Sequence, residues 1–328
     1  MHIPDNYLSP ETCAVMGAVM VPVLIVSVRN VKNKFSRKRL SLIGVGSALS
    51  FLMMMFNVPV PGGTTAHAVG GTLLAILLGP EAACLAIASS LLIQSLIFGD
   101  GGVLSYGANI FNMAFVMPFA GWFLYTMLMK LFKFRQGKII AAAIASYIAI
   151  NLSALFAGIE LGIQPLLFTN AHGVPLYAPY PLNISIPAML IAHLTMAGIA
   201  EIVFTAGILT FIMKVSPDLL NEDAPLHSRK LSLLMLVLIP LTPFGLLASA
   251  SAWGEWDPSE LAKKIGYTPS GMTHGFNYHA LIPGYSVSGL PDIAGYILSA
   301  LAGVAIIVIF YRLLAGRRNK PGNGKAVQ

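Results

Sequence analysis

Met1 and His2 set three nitrogens in a row at the start of the chain: the α-amine, the backbone amide of His2 and the His2 imidazole. An amine or an imidazole ligates metal only after losing its proton. Amine, deprotonated amide and imidazole together close two fused chelate rings around one ion in a plane, with one position left for a fourth ligand. Square-planar nitrogen sets suit Ni(II) or Cu(II) and disfavour Zn(II). The bulk of His2 hinders removal of Met1, so the amine belongs to Met1. The competing reading is a solvated terminal histidine that binds nothing. His67, within "PGGTTAHAVGG" at 61–71, is the candidate fourth ligand. It is flanked by Gly62, Gly63, Gly70 and Gly71, which allow close backbone approach. A histidine at membrane depth is costly without a partner, which makes it a functional candidate.

The elements that must position these residues follow from composition. "MHIPDNYLSP" has no basic n-region, short apolar h-region or small-residue cleavage site, so it does not read as a removable signal peptide. Ser9 can cap a helix, Pro10 suits its first position, and Glu11 favours its positive end. Residues 1–8 then form an extended arm reaching roughly 25 Å at about 3.3 Å per residue, long enough to fold back into a bundle. Of the 328 residues, 56% are hydrophobic and 10% charged, and the mean hydropathy is +0.76. A soluble chain carries about 25% charged residues, so the class is an all-α polytopic membrane protein. At about 20 residues per span, nine spans are expected: 11–28, 40–60, 66–79, 82–98, 108–129, 139–159, 184–213, 231–251 and 290–311. The third is short and opens on Gly and Thr, which suits irregular backbone lining a cavity. Cys13 and Cys84 both lie in apolar runs and form no CxxC pattern, so packing is their expected role.

Charge fixes the orientation. Basic residues cluster at 29–39, 130–138, 214–230 and 312–325, which puts 18 of the 20 Lys and Arg on one side of a nine-span bundle. Only Lys263 and Lys264 fall on the other side. The positive-inside rule then sets the N-terminus outside and the C-terminus in the cytoplasm of the cell membrane. The net charge of +7 is a topology signal and not a nucleic-acid footprint. The polar stretch "VSPDLLNEDAPLHSRK" at 215–230 divides a seven-span body, 1–214, from a two-span module, 231–328, with an external loop at 252–289 and a basic tail. GxxxxGK[ST] and other Gly-rich phosphate cradles are missing, so ATP-driven transport requires an ATPase on another chain.

"MHIPD-YL", "GGTTAHAVGG" and "FGDGG-LSYGANIFNMA" at 98–114 resemble the substrate-binding subunits of nickel and cobalt uptake systems, the NikM/CbiM family of energy-coupling-factor transporters. The resemblance covers about 1–214. The two-span segment at 231–313 is similar, through "SVSGLPDIAGY", to the small accessory subunit that works with them. The resemblance implies a planar site made of the Met1 amine, the His2 amide, the His2 imidazole and His67. It also implies a coupling transmembrane subunit and cytoplasmic ATPase subunits as partners, Ni(II) as the transported substrate, and no catalytic cofactor or enzymatic activity. "GTTAHAVGG" looks more like the nickel branch than the cobalt branch. Asn6 stands where the family pattern has Gly, and Asn tolerates left-handed backbone.

Other polar residues carry two readings. His193, Glu201, Gln94, Asn109, Asn112 and Asn151 suit hydrogen bonding between helices, as polar groups in bundles commonly do, or a role in the metal path. Asp100 either attracts cations or caps the turn into the fifth span. His274 and His279 either feed metal to the arm or stand in a solvated loop. The small residues Ala14, Gly17 and Ala18 either pack internally or face a membrane partner. The rival classes are an intramembrane metalloprotease and a stand-alone carrier for divalent cations. No HExxH motif supports the first, and the second usually lines its path with carboxylates, of which only Glu201 qualifies clearly.

Overall fold

The computed structural model describes residues 1–61, 63–217, 229–248 and 250–317. Most of the polar stretch at 215–230, Gly62 and the basic tail with Arg318, Lys320 and Lys325 lie outside the described residues.

Helix α1, Pro10–Lys34, starts where the sequence places it. Ser9 is extended, its Oγ accepts from Thr12 N at 3.1 Å, and Pro10 and Glu11 occupy the first turn. Helix α2, Arg37–Met55, stops well before residue 60. Pro59 and Pro61 cannot continue a helix, and the chain turns instead through a small antiparallel hairpin, β1 Val58–Val60 and β2 Thr64–Ala66, with Val58 opposite Ala66. The hairpin feeds a non-helical segment, 67–70, and then the eight-residue helix α3, Gly71–Leu78. At about 1.5 Å per residue α3 is roughly 12 Å long, far short of a bilayer core of about 30 Å. The backbone around His67 is thus irregular, and the preceding turns of a regular span are replaced by the hairpin.

Helices α4 Pro80–Phe98, α5 Tyr106–Leu131, α6 Gly137–Leu167 and α7 Leu182–Val215 complete the body. Beyond the undescribed stretch, α8, Arg229–Leu238, tightens into a 3₁₀ segment at Ile239–Leu247 that holds Pro240 and Pro243. The loop that follows contains the short helix α9, Pro258–Ile265, and leads to α10, Asp292–Arg317. Six of these helices (α1, α4, α5, α6, α7 and α10) are long and apolar enough to cross a membrane, and Arg39–Met55 and Leu233–Leu247 are shorter apolar helices. The chain is a multi-pass, all-helical membrane protein.

The core is centred on the C-terminal half of α2, where Phe51, Leu52, Met53, Met54 and Met55 are almost fully buried. Helix α10 lies along this helix: Tyr296 donates to Met55 O at 2.9 Å, and a side chain at Gly303 would collide with the Phe51 ring. The later segment is therefore packed into the body. Three π-helical turns, Gln94–Phe98 in α4, Ile110–Val116 in α5 and His193–Ala197 in α7, interrupt regular helix. Such turns occur often at functional sites, and the first ends beside the N-terminal arm.

Candidate metal centre

The arm folds back into the bundle. Asp5 accepts from Val103 N at 3.0 Å, Leu104 N at 2.7 Å and Ser105 N at 3.3 Å, which caps the turn into α5. Asn109 holds both backbone groups of Ile3: its Oδ1 accepts from Ile3 N at 2.7 Å and its Nδ2 donates to Ile3 O at 3.0 Å. Gly102 N also donates to Ile3 O, and a side chain at Gly102 would strike the Asp5 carboxylate, so the close approach requires glycine. Asn6 adopts left-handed backbone, φ 67°, as its position in the sequence led us to expect. Its amide pairs with Phe276 in both directions, at 2.8 and 2.9 Å. Tyr7 OH donates to Trp256 O at 2.7 Å. The outcome is that Met1, His2 and Ile3 are buried.

His2 and His67 meet at the end of this arm. Nε2 of His67 lies 3.2 Å from Nδ1 of His2, with ring centroids 4.9 Å apart. His67 Nδ1 approaches Ala68 O at 3.1 Å. A carbonyl only accepts, so Nδ1 carries the hydrogen and Nε2 keeps its lone pair, aimed at His2. Nδ1 is the His2 nitrogen that closes a six-membered ring with the amide. Metal–nitrogen bonds of about 2.0 Å at right angles put adjacent ligands about 2.8 Å apart. The two imidazoles stand within a few tenths of an ångström of that spacing. Burial, reinforced by the nearby Met1 ammonium, pushes the His2 imidazole down to about 3, so it is neutral. The Met1 ammonium pairs with Glu255 Oε1 at 3.2 Å. Among the described residues no three His, Cys, Asp or Glu side chains gather as a metal site. A set that draws two nitrogens from the amine and the main chain contains only two such side chains.

A second layer holds these groups. Glu201, from α7, accepts from Val69 N at 2.8 Å and Gly70 N at 3.0 Å, and Ser50 Oγ donates to Val69 O at 2.7 Å. The loop that carries His67 is pinned between two helices by these bonds. Asp100 Oδ1 lies 3.2 Å from His2 Nδ1, while its Oδ2 accepts from Tyr285 OH at 2.5 Å and Gln94 Nε2 at 3.2 Å. Asp100 thus takes a third role that the two sequence readings did not include, because Asp5 already caps the turn.

The remaining residues divide. Asn109 serves the arm directly. Asn112 donates to Glu160 of α6 at 2.7 Å, a bond between helices, while Asn151 donates to Tyr147 O one turn back in its own helix at 2.7 Å. His193 bonds Met189 O within its own helix at 2.7 Å. His274 is exposed and bonds Thr273 and Ser270, and His279 is exposed. Their loop reaches the arm through Phe276 instead. On α1, Gly17 packs against Gly107, and Ala14 and Ala18 are exposed. Cys13 and Cys84 are free and buried. Glu255 and Tyr285 were not singled out from the sequence. The one available signal for Glu255 was a carboxylate set between Trp253 and Trp256 in an otherwise polar loop.

Residues 2–219 match the family described as the cobalt uptake substrate-specific transmembrane region, and residues 228–317 match the PDGLE domain. A probable fused nickel transport protein of Lactiplantibacillus plantarum is 50% identical over 321 residues, 95% of this chain and 97% of that one. A fused nickel transport protein of Rhodobacter capsulatus is 42% identical over 97% of this chain and 98% of its own length. Among solved structures, a truncated transition metal transporter is 54% identical, with a TM-score of 0.62, and covers 65% of this chain and 99% of its own.

Proposed function

The chain belongs to the family of cobalt uptake substrate-specific transmembrane regions, and we propose that it is the Ni(II)-capturing membrane component of an ATP-driven uptake transporter of the energy-coupling-factor type. The Met1 amine, the His2 amide, His2 Nδ1 and His67 Nε2 take the ion as cargo in a plane. The observation that carries this reading is the 3.2 Å approach of the two imidazoles, each with a ligating nitrogen turned to the other. Loading transfers the Met1 amine from Glu255 to the ion and releases its proton and that of the His2 amide. The chain performs no bond-making chemistry on its cargo.

The architecture we propose around this centre has nine crossings, with α3 and its hairpin forming the third and α8 with its 3₁₀ continuation the eighth. The N-terminus is outside and the C-terminus cytoplasmic, in accord with the 18-to-2 division of basic residues. Residues 1–214 are the metal-binding body, 215–230 the cytoplasmic linker, and 231–328 the accessory module. The partners are a coupling transmembrane subunit and cytoplasmic ATPase subunits. The fused relatives of like length and the two family matches on either side of 220–227 support this division.

Co(II) is the competing cargo, favoured by the family's description. The planar nitrogen set favours nickel. Metal analysis and competition titration of the purified chain with an unblocked Met1 decide between them. We expect Ni(II) to bind more tightly than Co(II), with a visible absorption band of planar Ni(II) that His67→Ala removes. Equal or tighter Co(II) binding, or nickel binding indifferent to His67, overturns the assignment. Nickel uptake by cells lacking the partner subunits would instead mark a stand-alone carrier.

A further inference from the structure

Among the described residues, two buried polar atoms beside the centre lack a hydrogen-bond partner: Nε2 of His2 and Oε1 of Gln94. A buried orphan of this kind is costly, so the pair calls for a reason. In the metal-free chain His2 Nδ1 faces Asp100 Oδ1 and His67 Nε2, both acceptors. Nδ1 therefore carries the ring hydrogen, and Nε2 is a bare lone pair. Ligation through Nδ1 reverses this: a neutral imidazole keeps one hydrogen, and it must then sit on Nε2. The acceptor for it is at hand in the other orphan, Gln94 Oε1, on a side chain against the His2 ring. Both orphans are satisfied together by the tautomer that metal ligation demands.

The orientation of Gln94 is fixed from both the body and the later segment. Its Nε2 donates to Asp100 Oδ2 at 3.2 Å and to Tyr285 OH at 3.1 Å, which leaves Oε1 as the end free for His2. A flipped amide would set oxygen against oxygen at Asp100. Tyr285 also donates to Asp100 Oδ2, stacks on Phe98 at a centroid distance of 4.7 Å, and is buried. It belongs to the segment matched to the PDGLE domain. Its φ is 59°, a left-handed value that is a genuine outlier for a bulky residue. Backbone held in such a region persists only where the surroundings over-determine it, and it clusters at functional sites.

We propose that Tyr285 is a positioning residue of the metal centre: together with Asp100 Oδ2 it orients Gln94, whose Oε1 then receives the Nε2 hydrogen of the His2 tautomer that presents Nδ1 to the ion. The proposal rests on the reading that His2 and His67 ligate the metal. It gives the accessory module a part in the centre's outer layer that its place in the sequence does not suggest.

The test uses the full chain in detergent with a free Met1, Ni(II) affinity by competition with a chromophoric chelator, and the visible band at saturation. The variants are Tyr285→Phe, Gln94→Met, the double variant and His67→Ala. Loss of an outer-layer partner typically weakens metal binding about 10–100-fold, and we expect each single variant to do so with the band retained at saturation. Because Tyr285 acts through Gln94, the double variant should be within about twofold of the weaker single variant, since coupled residues are not additive. A Tyr285 that served only packing would give effects that multiply. Multiplying effects, or a Tyr285→Phe chain with wild-type affinity while His67→Ala has lost the ion, overturns the proposal. A wild-type chain that takes up no Ni(II) fails earlier, refuting the metal-centre reading and this proposal with it.

Discussion

Glu201 lies in α7, yet its side chain holds the backbone beside His67, the ligand we propose on another element. Its carboxylate accepts from Val69 N at 2.8 Å and from Gly70 N at 3.0 Å, one and two residues beyond the pinned Ala68 carbonyl that orients His67. Glu201→Ala leaves both buried N–H groups unpaired, at about 1–3 kcal/mol each, so about 2–6 kcal/mol in all. Relaxation of the loop toward other conformations lowers the fraction competent to bind, and the apparent Kd rises by the inverse of that fraction. Even the lower bound corresponds to roughly 30-fold. Glu201→Gln is milder. An amide oxygen at the Oε2 position still serves both N–H groups. Gly70 N also donates to Oε1 at 3.1 Å, where the amide NH2 would stand against it, so about 1 kcal/mol or roughly fivefold is expected. Chelator competition on the purified variants measures the order wild type, Gln, Ala. The band at saturation should be the same in all three, since no ligand is removed. An Ala variant with wild-type affinity, or a Gln variant as weak as Ala, refutes the claim that these bonds hold the His67 loop.

Three further outcomes follow from the same geometry. Since the His2 imidazole is held at about 3 and His67 keeps its lone pair on Nε2, neither ring releases a proton on ligation between pH 5 and 7. Ligation by the amine and the His2 amide displaces protons, so affinity should rise with pH over that window; a slope of about four protons per ion would show that the rings are charged before loading. Lys263→Cys should react with an impermeant thiol reagent on intact cells and Lys133→Cys only after permeabilisation, both positions being exposed; the reverse pattern refutes the orientation. Residues 1–222 and 223–328 expressed as two chains should associate and restore nickel uptake, and an inert pair that inserts correctly refutes the separable module.

What the sequence made legible was local. The amine and the imidazole are adjacent in the chain, Ser9 and Pro10 mark the helix start, and the glycines around His67 mark a backbone that others must approach. Apolar runs located the long helices, with starts within two residues and C-terminal ends up to eight residues short, as at 159 against Leu167. The second span was drawn too long because hydropathy does not register Pro59 and Pro61 as breaks, although their ring chemistry does. Asp100 was left between two roles because spacing does not say which acidic residue reaches which amide, and the cap turned out to come from Asp5. Glu255 and Tyr285 were illegible for a related reason. Their partners lie 254 and 185 residues away, at Met1 and Asp100; Glu255 has only its flanking tryptophans as a signal, and nothing in the neighbourhood of Tyr285 distinguishes it from other loop residues.

A ligand set at a chain terminus has an entropic difficulty that the fold addresses from two sides. Fixing each residue costs about 1–2 kcal/mol, so an eight-residue arm ordered only on binding would cost the ion about 8–16 kcal/mol. The body supplies part of the ordering through Asn109 on Ile3 and the amides that Asp5 caps. The later segment adds three bonds, two between Asn6 and Phe276 and one from Tyr7 to Trp256. At about 0.5–1.5 kcal/mol each these are worth about 1.5–4.5 kcal/mol of preorganisation. Glu255 works in the opposite sense, since the Met1 ammonium must leave it before the amine can ligate. Residues 1–217 alone should therefore bind Ni(II) with the same visible band but more weakly than the full chain, by tenfold or more on this bookkeeping. Glu255→Gln in the full chain should bind more tightly. The body is a reasonable unit to test, because a solved chain of that extent is 54% identical to it. If the body alone matches the full chain in affinity while Glu255→Gln changes nothing, the arm is ordered by the body, and the external loop has no share in preparing the centre.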